Sequence, residues 1–242
     1  MFNKFEPGAS PLTATEAESF SEIPRYLAET YWWAYIHPRA VRFFDHIAVV
    51  NLILFGNYRR LRNAVVAALP SRITGKTLQI ACVYGDFTYA LAMQLAPNAT
   101  LDVVDVVPIQ LDNLRRKLPL AAPVTLYRRN SAALGFQSAT YDQAIVFFLL
   151  HEQPDAVRYQ TLAEVLRVIK PGGRVVVVDY HRPHYLNPLR LLLKPLLARL
   201  EPFALDMWKR DVSHWLPRRG AGYQLHKTTF FGGLYQRVVI DV

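Results

Sequence analysis

The chain contains one cysteine, Cys82, so no disulfide can form within it; flanked by Ile80, Ala81 and Val83, it reads as a buried strand residue. No apolar run is long enough for a helix that spans a bilayer. The opening residues lack the basic start and long apolar stretch of a secretory signal. With Pro7-Gly8, Ser10-Pro11 and scattered acids, residues 1–21 read as a flexible tail. Acids are scarce: Asp and Glu total 19 against 28 Lys and Arg, a formal charge of +9. The surplus cations are not gathered into a recognised RNA-binding motif, which argues against nucleic acid as a partner. At 242 residues the chain has room for one substantial core.

Glycine is missing where a nucleotide-binding turn would most need it. Thr77 to Val83 reads as a short apolar strand, followed by a turn at Tyr84-Gly85-Asp86. Phe87, Leu91 and Leu95 then follow helical spacing to about Gln94. In the dinucleotide fingerprint the first glycine permits the tight turn and the second lets backbone approach the ligand. The third lets helix and strand pack closely. Here Ala81 and Val83 occupy the first two places and Gly85 alone is retained, while the strand carries neutral Gln79.

The remaining elements follow the same alternation. Thr100 to Asp105 reads as a second strand ending in a carboxylate, followed by Val106. Asp105 lies about 20 residues past the glycine turn, where an acid accepts hydrogen bonds from ribose hydroxyls. It also suits a helix N-cap or a solvated loop, because Pro108 follows and a helix runs from Ile109 to Lys117. Pro123 to Tyr127 is a third strand, and Asn130-Ser131 after it are either adenine contacts or ordinary turn residues. Tyr141 to Phe148, including Phe147, is apolar enough for burial on both faces and leads into Leu149-Leu150-His151-Glu152-Gln153-Pro154. A helix from Asp155 to Ile169 stops at Lys170-Pro171-Gly172-Gly173 before a fifth strand, Arg174 to Asp179. Tyr223 to Phe231 and Leu234 to Asp241, joined by Gly232-Gly233, form a hairpin.

The expected fold is therefore α/β: a Rossmann-like, mostly parallel sheet with an antiparallel C-terminal hairpin and an N-terminal helical cap. We read residues 22–242 as one domain. Residues 22–70 are the cap, 76–181 the core, 182–222 an amphipathic basic lid and 223–242 the hairpin. In the lid, Leu189, Leu192, Leu193, Leu196, Leu197 and Leu200 keep helical spacing, with Arg190, Lys194 and Arg199 between them and Pro195 expected to kink the helix. Trp208, Lys209, Arg210, Trp215, Arg218 and Arg219 then mix aromatics with cations as membrane-interface segments do. An ordinary helix packed on the sheet with a solvated basic face is the other reading.

The turn at Tyr84 to Thr88, the acid Asp105 and Val168-Ile169-Lys170-Pro171-Gly172-Gly173 resemble the class I S-adenosylmethionine-dependent methyltransferases in order and spacing. Asn51 to Arg62 is similar to the segment that ubiquinone and menaquinone methyltransferases carry before the first strand. A narrower resemblance rests on Tyr26 to Pro38, the glycine-poor Ala81 to Asp86 turn and Leu150-His151-Glu152-Gln153. It is to the rhodoquinone-biosynthesis family, and it covers roughly residues 22 to 242. That resemblance implies conversion of ubiquinone to rhodoquinone by replacing a ring methoxy group with an amino group. S-adenosylmethionine would act as amine donor with manganese assisting, at the cytoplasmic side of the inner membrane or, in a eukaryote, the mitochondrial matrix side. A methyltransferase acting on a quinone or lipid, and a non-catalytic binder of the cofactor or quinone, are the alternatives.

Under this resemblance the cofactor would be bound by Tyr58, Gln79, Ala81, Val83, Tyr84, Gly85, Asp86, Asp105, Val106, Asn130, Ser131 and Phe147. Gln79 stands where methyltransferases usually carry an acid. An amine that must attack a ring carbon has to lose its proton, and a nearby anion would raise its pKa. Candidate catalytic residues at the ends of strands four and five are His151, Glu152, Tyr180 and His184. His151, Glu152, Asp179 and His181 have the chemistry of manganese ligands, though not the spacing of a metal motif. In the cap, Tyr31, Trp32, Trp33 and Tyr35 are suited to stacking on a quinone or sulfonium, or to a core.

Overall fold

The computed structural model describes residues 22–217 and 222–242. The tail expected over 1–21 and the cations Arg218 and Arg219 lie outside them. Five short helices form the cap: α1 (Arg25–Thr30), α2 (Trp32–Tyr35), α3 (Pro38–Phe44), α4 (Ile47–Ile53) and α5 (Tyr58–Val66). Pro38 opens α3, where its missing N–H costs nothing. In α5, Tyr58, Leu61 and Val65 are buried on one face while Arg59 and Arg60 point outward.

The core alternates β1 (Lys76–Ile80), α6 (Phe87–Ala92), β2 (Thr100–Asp105), α7 (Pro108–Lys117), β3 (Val124–Arg128), β4 (Tyr141–Phe147), α8 (Asp155–Val168) and β5 (Ile169–Tyr180). After it come α9 (Leu189–Leu200), α10 (Asp206–Lys209), β6 (Gln224–Phe230) and β7 (Tyr235–Asp241). The seven strands lie in the order β3-β2-β1-β4-β5-β7-β6. β1 to β5 are parallel, and β7 pairs antiparallel with both β5 and β6. Ala144 to Val146 and Val175 to Val178 are fully buried, as central strands covered on both faces require.

Two boundaries differ from the sequence reading. β1 ends at Ile80, not Val83, because Ala81 turns into the left-handed region at φ 72° and breaks the ladder. Lys170-Pro171-Gly172-Gly173 does not precede the fifth strand but lies inside it. Ile169 already pairs with Tyr141, and the register shifts before Arg174. A side chain at Gly173 would put its Cβ 2.7 Å from the Asp142 carbonyl, so the strands can close over this bulge only on glycine.

Candidate functional site

A cavity of about 500 Å³ opens at the C-terminal edge of β1, β2, β4 and β5, roofed by the cap and by α9. The loop after β1 forms its floor. Ala81 keeps a glycine-like positive φ, so the bend that brings backbone close to a ligand survives without the glycine. Ala81, Val83 and Tyr84 line the cavity, as do Asp105 and Val106 at the end of β2. Asn130, Ser131 and Phe147 complete its far side. Asp105 accepts the amides of Cys82 at 2.7 Å and Val107 at 2.8 Å, tying the two strand ends together. Burial raises its carboxyl to about 6 despite those amides. Tyr84 stacks on Tyr35 and Phe44, donates to the Ala34 carbonyl at 2.7 Å and accepts from Gln110 at 2.8 Å. A bulky ring thus pins the loop to the cap on the side a ligand would approach.

Four of the nominated cofactor residues build the loop from behind instead of lining the cavity. Gln79 is fully buried and its Nε2 donates to the Ala81 carbonyl at 2.9 Å. Tyr58 donates to Asp86 Oδ1 and accepts the Asp86 amide, while Arg62 holds Asp86 Oδ2 at 2.6 Å. Gly85, at φ 81°, leaves room for the Tyr58 hydroxyl, 2.8 Å from where a Cβ would sit. Tyr58 and Asp86 spend their polar groups on one another and on the turn, whereas the buried Gln79 Oε1 has no hydrogen-bond partner among the described residues.

The chemistry gathers at the end of β4. Asp179, fully buried on β5, accepts the amides of Leu150, His151 and Tyr180 and faces His151 Nδ1 at 2.9 Å. That bond turns His151 Nε2 toward Glu152 at 3.7 Å and Glu201 at 3.5 Å. Tyr35 donates to Glu152, and Tyr180 packs edge-on against the imidazole at 4.9 Å. Burial opposes a charge on His151, but Asp179, Glu201 and Glu152 outweigh it and hold the imidazole up to about 9. Burial pushes Glu152 up to about 8 even though His151 and Tyr35 pull the other way. Near neutral pH the pair therefore stores protons, the condition of a group that can give one up and take one back.

His181 and His184 are not part of this cluster. His181 Nδ1 faces the Gly233 carbonyl at 2.8 Å, and both histidines line a separate hollow of about 440 Å³ on the outer side of β5. Asp179 and Tyr180 are the last residues of β5, and His181 lies beyond the end of the strand. The proposed metal set consequently does not assemble. Asp179 is saturated by four donors, His181 is turned away, and among the described residues no group of three or more His, Cys, Asp or Glu is arranged to hold a metal ion. The residue that sequence reading missed is Glu201, after α9. Its signal is that it is the lone acid between Asp179 and Asp206, at the end of a basic, leucine-rich helix. Arg158 was also missed: fully buried, it donates to the Leu150 carbonyl at 2.6 Å and the Phe203 carbonyl at 2.5 Å, joining the His151 turn to the segment after α9.

The ubiE/COQ5 methyltransferase family model matches residues 40–204. The chain belongs to that family. A demethylmenaquinone methyltransferase of Lactiplantibacillus plantarum is 31% identical over 197 residues, covering 78% of this chain and 81% of that one. The ubiquinone/menaquinone biosynthesis C-methyltransferase UbiE of Geobacter sulfurreducens is 31% identical over 137 residues, and the match spans 55% of this chain and about half, 52%, of its own length. In structure, a SAM-dependent methyltransferase from Aquifex aeolicus superposes with a TM-score of 0.54 at 15% identity, over 84% of this chain and 97% of that one. The fold is the Rossmann-like fold of class I S-adenosylmethionine methyltransferases.

Proposed function

We propose that this ubiE/COQ5-family enzyme acts on ubiquinone and exchanges a ring methoxy group for an amino group, forming rhodoquinone with S-adenosylmethionine as amine donor. The observation that carries the reading is the loop after β1. It keeps the bend of a cofactor loop at Ala81, yet it places Val83 and the Tyr84 ring in the cavity wall, with no carboxylate on β1 behind them. The cavity suits the cofactor: Asp105, an acid at the end of β2 able to accept ribose hydroxyls, and the polar pair Asn130-Ser131, able to meet an adenine, both line it. A loop so filled favours a displaced methionine tail, with its nitrogen in place of its methyl group toward the ring.

When bound, S-adenosylmethionine supplies the nitrogen. The chain supplies the movement of protons. Addition at the methoxy-bearing carbon would require a proton to leave the nitrogen and departure of methanol a proton at its oxygen; release as an amino group would then require the nitrogen–Cα bond to break, with a proton lost from Cβ and one gained at nitrogen. His151, oriented by Asp179, and Glu152, held by Tyr35, are the groups in the cavity that can exchange them. Tyr180 and Phe148 wall the imidazole off from water. Manganese, implied by the rhodoquinone resemblance, does not find its ligands in Asp179 and His181, and the chemistry of these residues is derived without it.

The second reading, methylation of a quinone ring carbon, is favoured by the relatives' own names. Incubating the protein with S-adenosylmethionine and either a short-chain ubiquinone or a short-chain quinol with an unsubstituted ring carbon, with and without manganese, and weighing the products separates the readings. Amino-for-methoxy exchange lowers the mass and methylation raises it. An unchanged mass under all conditions leaves only a binding role.

A further inference from the structure

We propose that α4 and α9 form a membrane-docking port, through which a quinone passes from an anionic bilayer directly into the cavity. The proposal deepens the quinone reading above and rests on it. Leu52 and Ile53 on α4 and Leu196 and Leu200 on α9 all line the cavity, yet they are 76%, 43%, 45% and 40% exposed. A side chain that belongs both to a cavity wall and to the outside marks the mouth, and this mouth is ringed with aliphatic carbon. The apolar surface continues beyond it, through Leu191 and Leu192 on α9 and Phe43 beside α4, all exposed.

α9 buries only the row Leu193 and Leu197. A helix that merely packs on a sheet carries polar residues on its other faces. Here those faces carry leucine together with Arg190, Lys194 and Arg199, and Glu201, the acid that follows, is turned inward to His151. The surface then continues past Arg190 into the second hollow, where Arg182 is joined by Lys209, Arg210 and Lys227, these three paired with Asp206, Asp155 and Asp211. Aliphatic side chains framed by cations, on a chain of net charge +9, match the acyl region and phosphate headgroups of an anionic bilayer. No described helix is long and apolar enough to cross a membrane, so the contact is one of a face with a surface.

Vesicle sedimentation tests the port. The protein should pellet with vesicles of phosphatidylcholine and phosphatidylglycerol, less with phosphatidylcholine alone, and less at high salt. The exposed pair Leu191→Asp/Leu192→Asp, which does not line the cavity, should abolish pelleting and leave turnover of a short-chain, water-soluble quinone unchanged. Lys194→Glu/Arg199→Glu should weaken binding to the anionic vesicles at least about tenfold. Wild-type protein that stays in the supernatant with anionic vesicles overturns the proposal, and so does equal pelleting of the leucine variant. Self-association of the wild type that the leucine variant loses, without vesicle binding, assigns the face to a second copy and likewise overturns it. Failure of the quinone reading would show separately, as no product from the short-chain quinone even where vesicles are bound.

Discussion

Glu201 Oε2 lies 3.5 Å from His151 Nε2, so the segment that ends the leucine helix reaches into the proton-bearing cluster of the core. Among the described residues the oxygen has no hydrogen-bond partner, and its carboxyl is raised by burial, countered by the imidazole. Lid and acid–base pair are electrostatically one unit. Replacing Glu201→Gln removes one of the anions holding His151 up. The His151 titration, followed by NMR, should move down from about 9, and turnover should fall roughly tenfold. An unmoved titration with intact fold would show that the two groups are not coupled.

Asp179 accepts three backbone amides as well as orienting the imidazole, so Asp179→Asn should be harmful in two ways. Stability should drop by about 3–5 kcal/mol in denaturant titrations, because buried donors lose their anion. In whatever folds, His151 should titrate well below its present value.

Stability should decline as pH rises from mildly acidic to alkaline. The folded pKa of His151 is raised from 6.5 to about 9, so its stabilisation is complete below 6.5 and is lost as pH climbs through 9. Glu152, raised from 4.5 to about 8, is held in its neutral form by the fold and adds a further loss between those values. Thermal melts from pH 5 to 9 should show a falling midpoint, and Glu152→Gln should remove the lower part of the slope.

Gly85→Ala should destabilise the loop by about 1–3 kcal/mol, combining a positive φ with a Cβ 2.8 Å from the Tyr58 hydroxyl. In Gly85→Ala/Tyr58→Phe the clashing oxygen is gone. The double variant should therefore lose less than the sum of the singles, and strict additivity would mean the hydroxyl is not the obstacle.

Gln79→Glu should cost stability before it affects chemistry. A carboxylate cannot donate to the Ala81 carbonyl, and in this buried place it would face that oxygen instead. We expect a melting midpoint several degrees lower, checked by calorimetry. An unchanged midpoint together with reduced amination would return Gln79 to the electronic role suggested by sequence alone.

The alternation of strands and helices was legible because the buried runs in β4 and β5 are long, and because the acid at Asp105 ends its strand. The boundaries at Ala81 and Gly172 were not. Both depend on a φ that sequence does not announce: an alanine bent like a glycine, and a proline-glycine pair bulging inside a strand. His151, Glu152 and Tyr180 do meet in the cavity. His181 and His184, equally plausible by type and only one and four residues beyond Tyr180, do not.

Sequence by itself determined the sheet, the cap and the stretch of chain carrying the imidazole, since local pattern and burial set these. Only the tertiary structure decided which acid answers His151. Asp179 is consumed in holding the ring, whereas Glu201, 50 residues from His151 in the chain, arrives on a helix whose path is set by packing. Charge acts across space and not along the chain, so that partnership has no local signature.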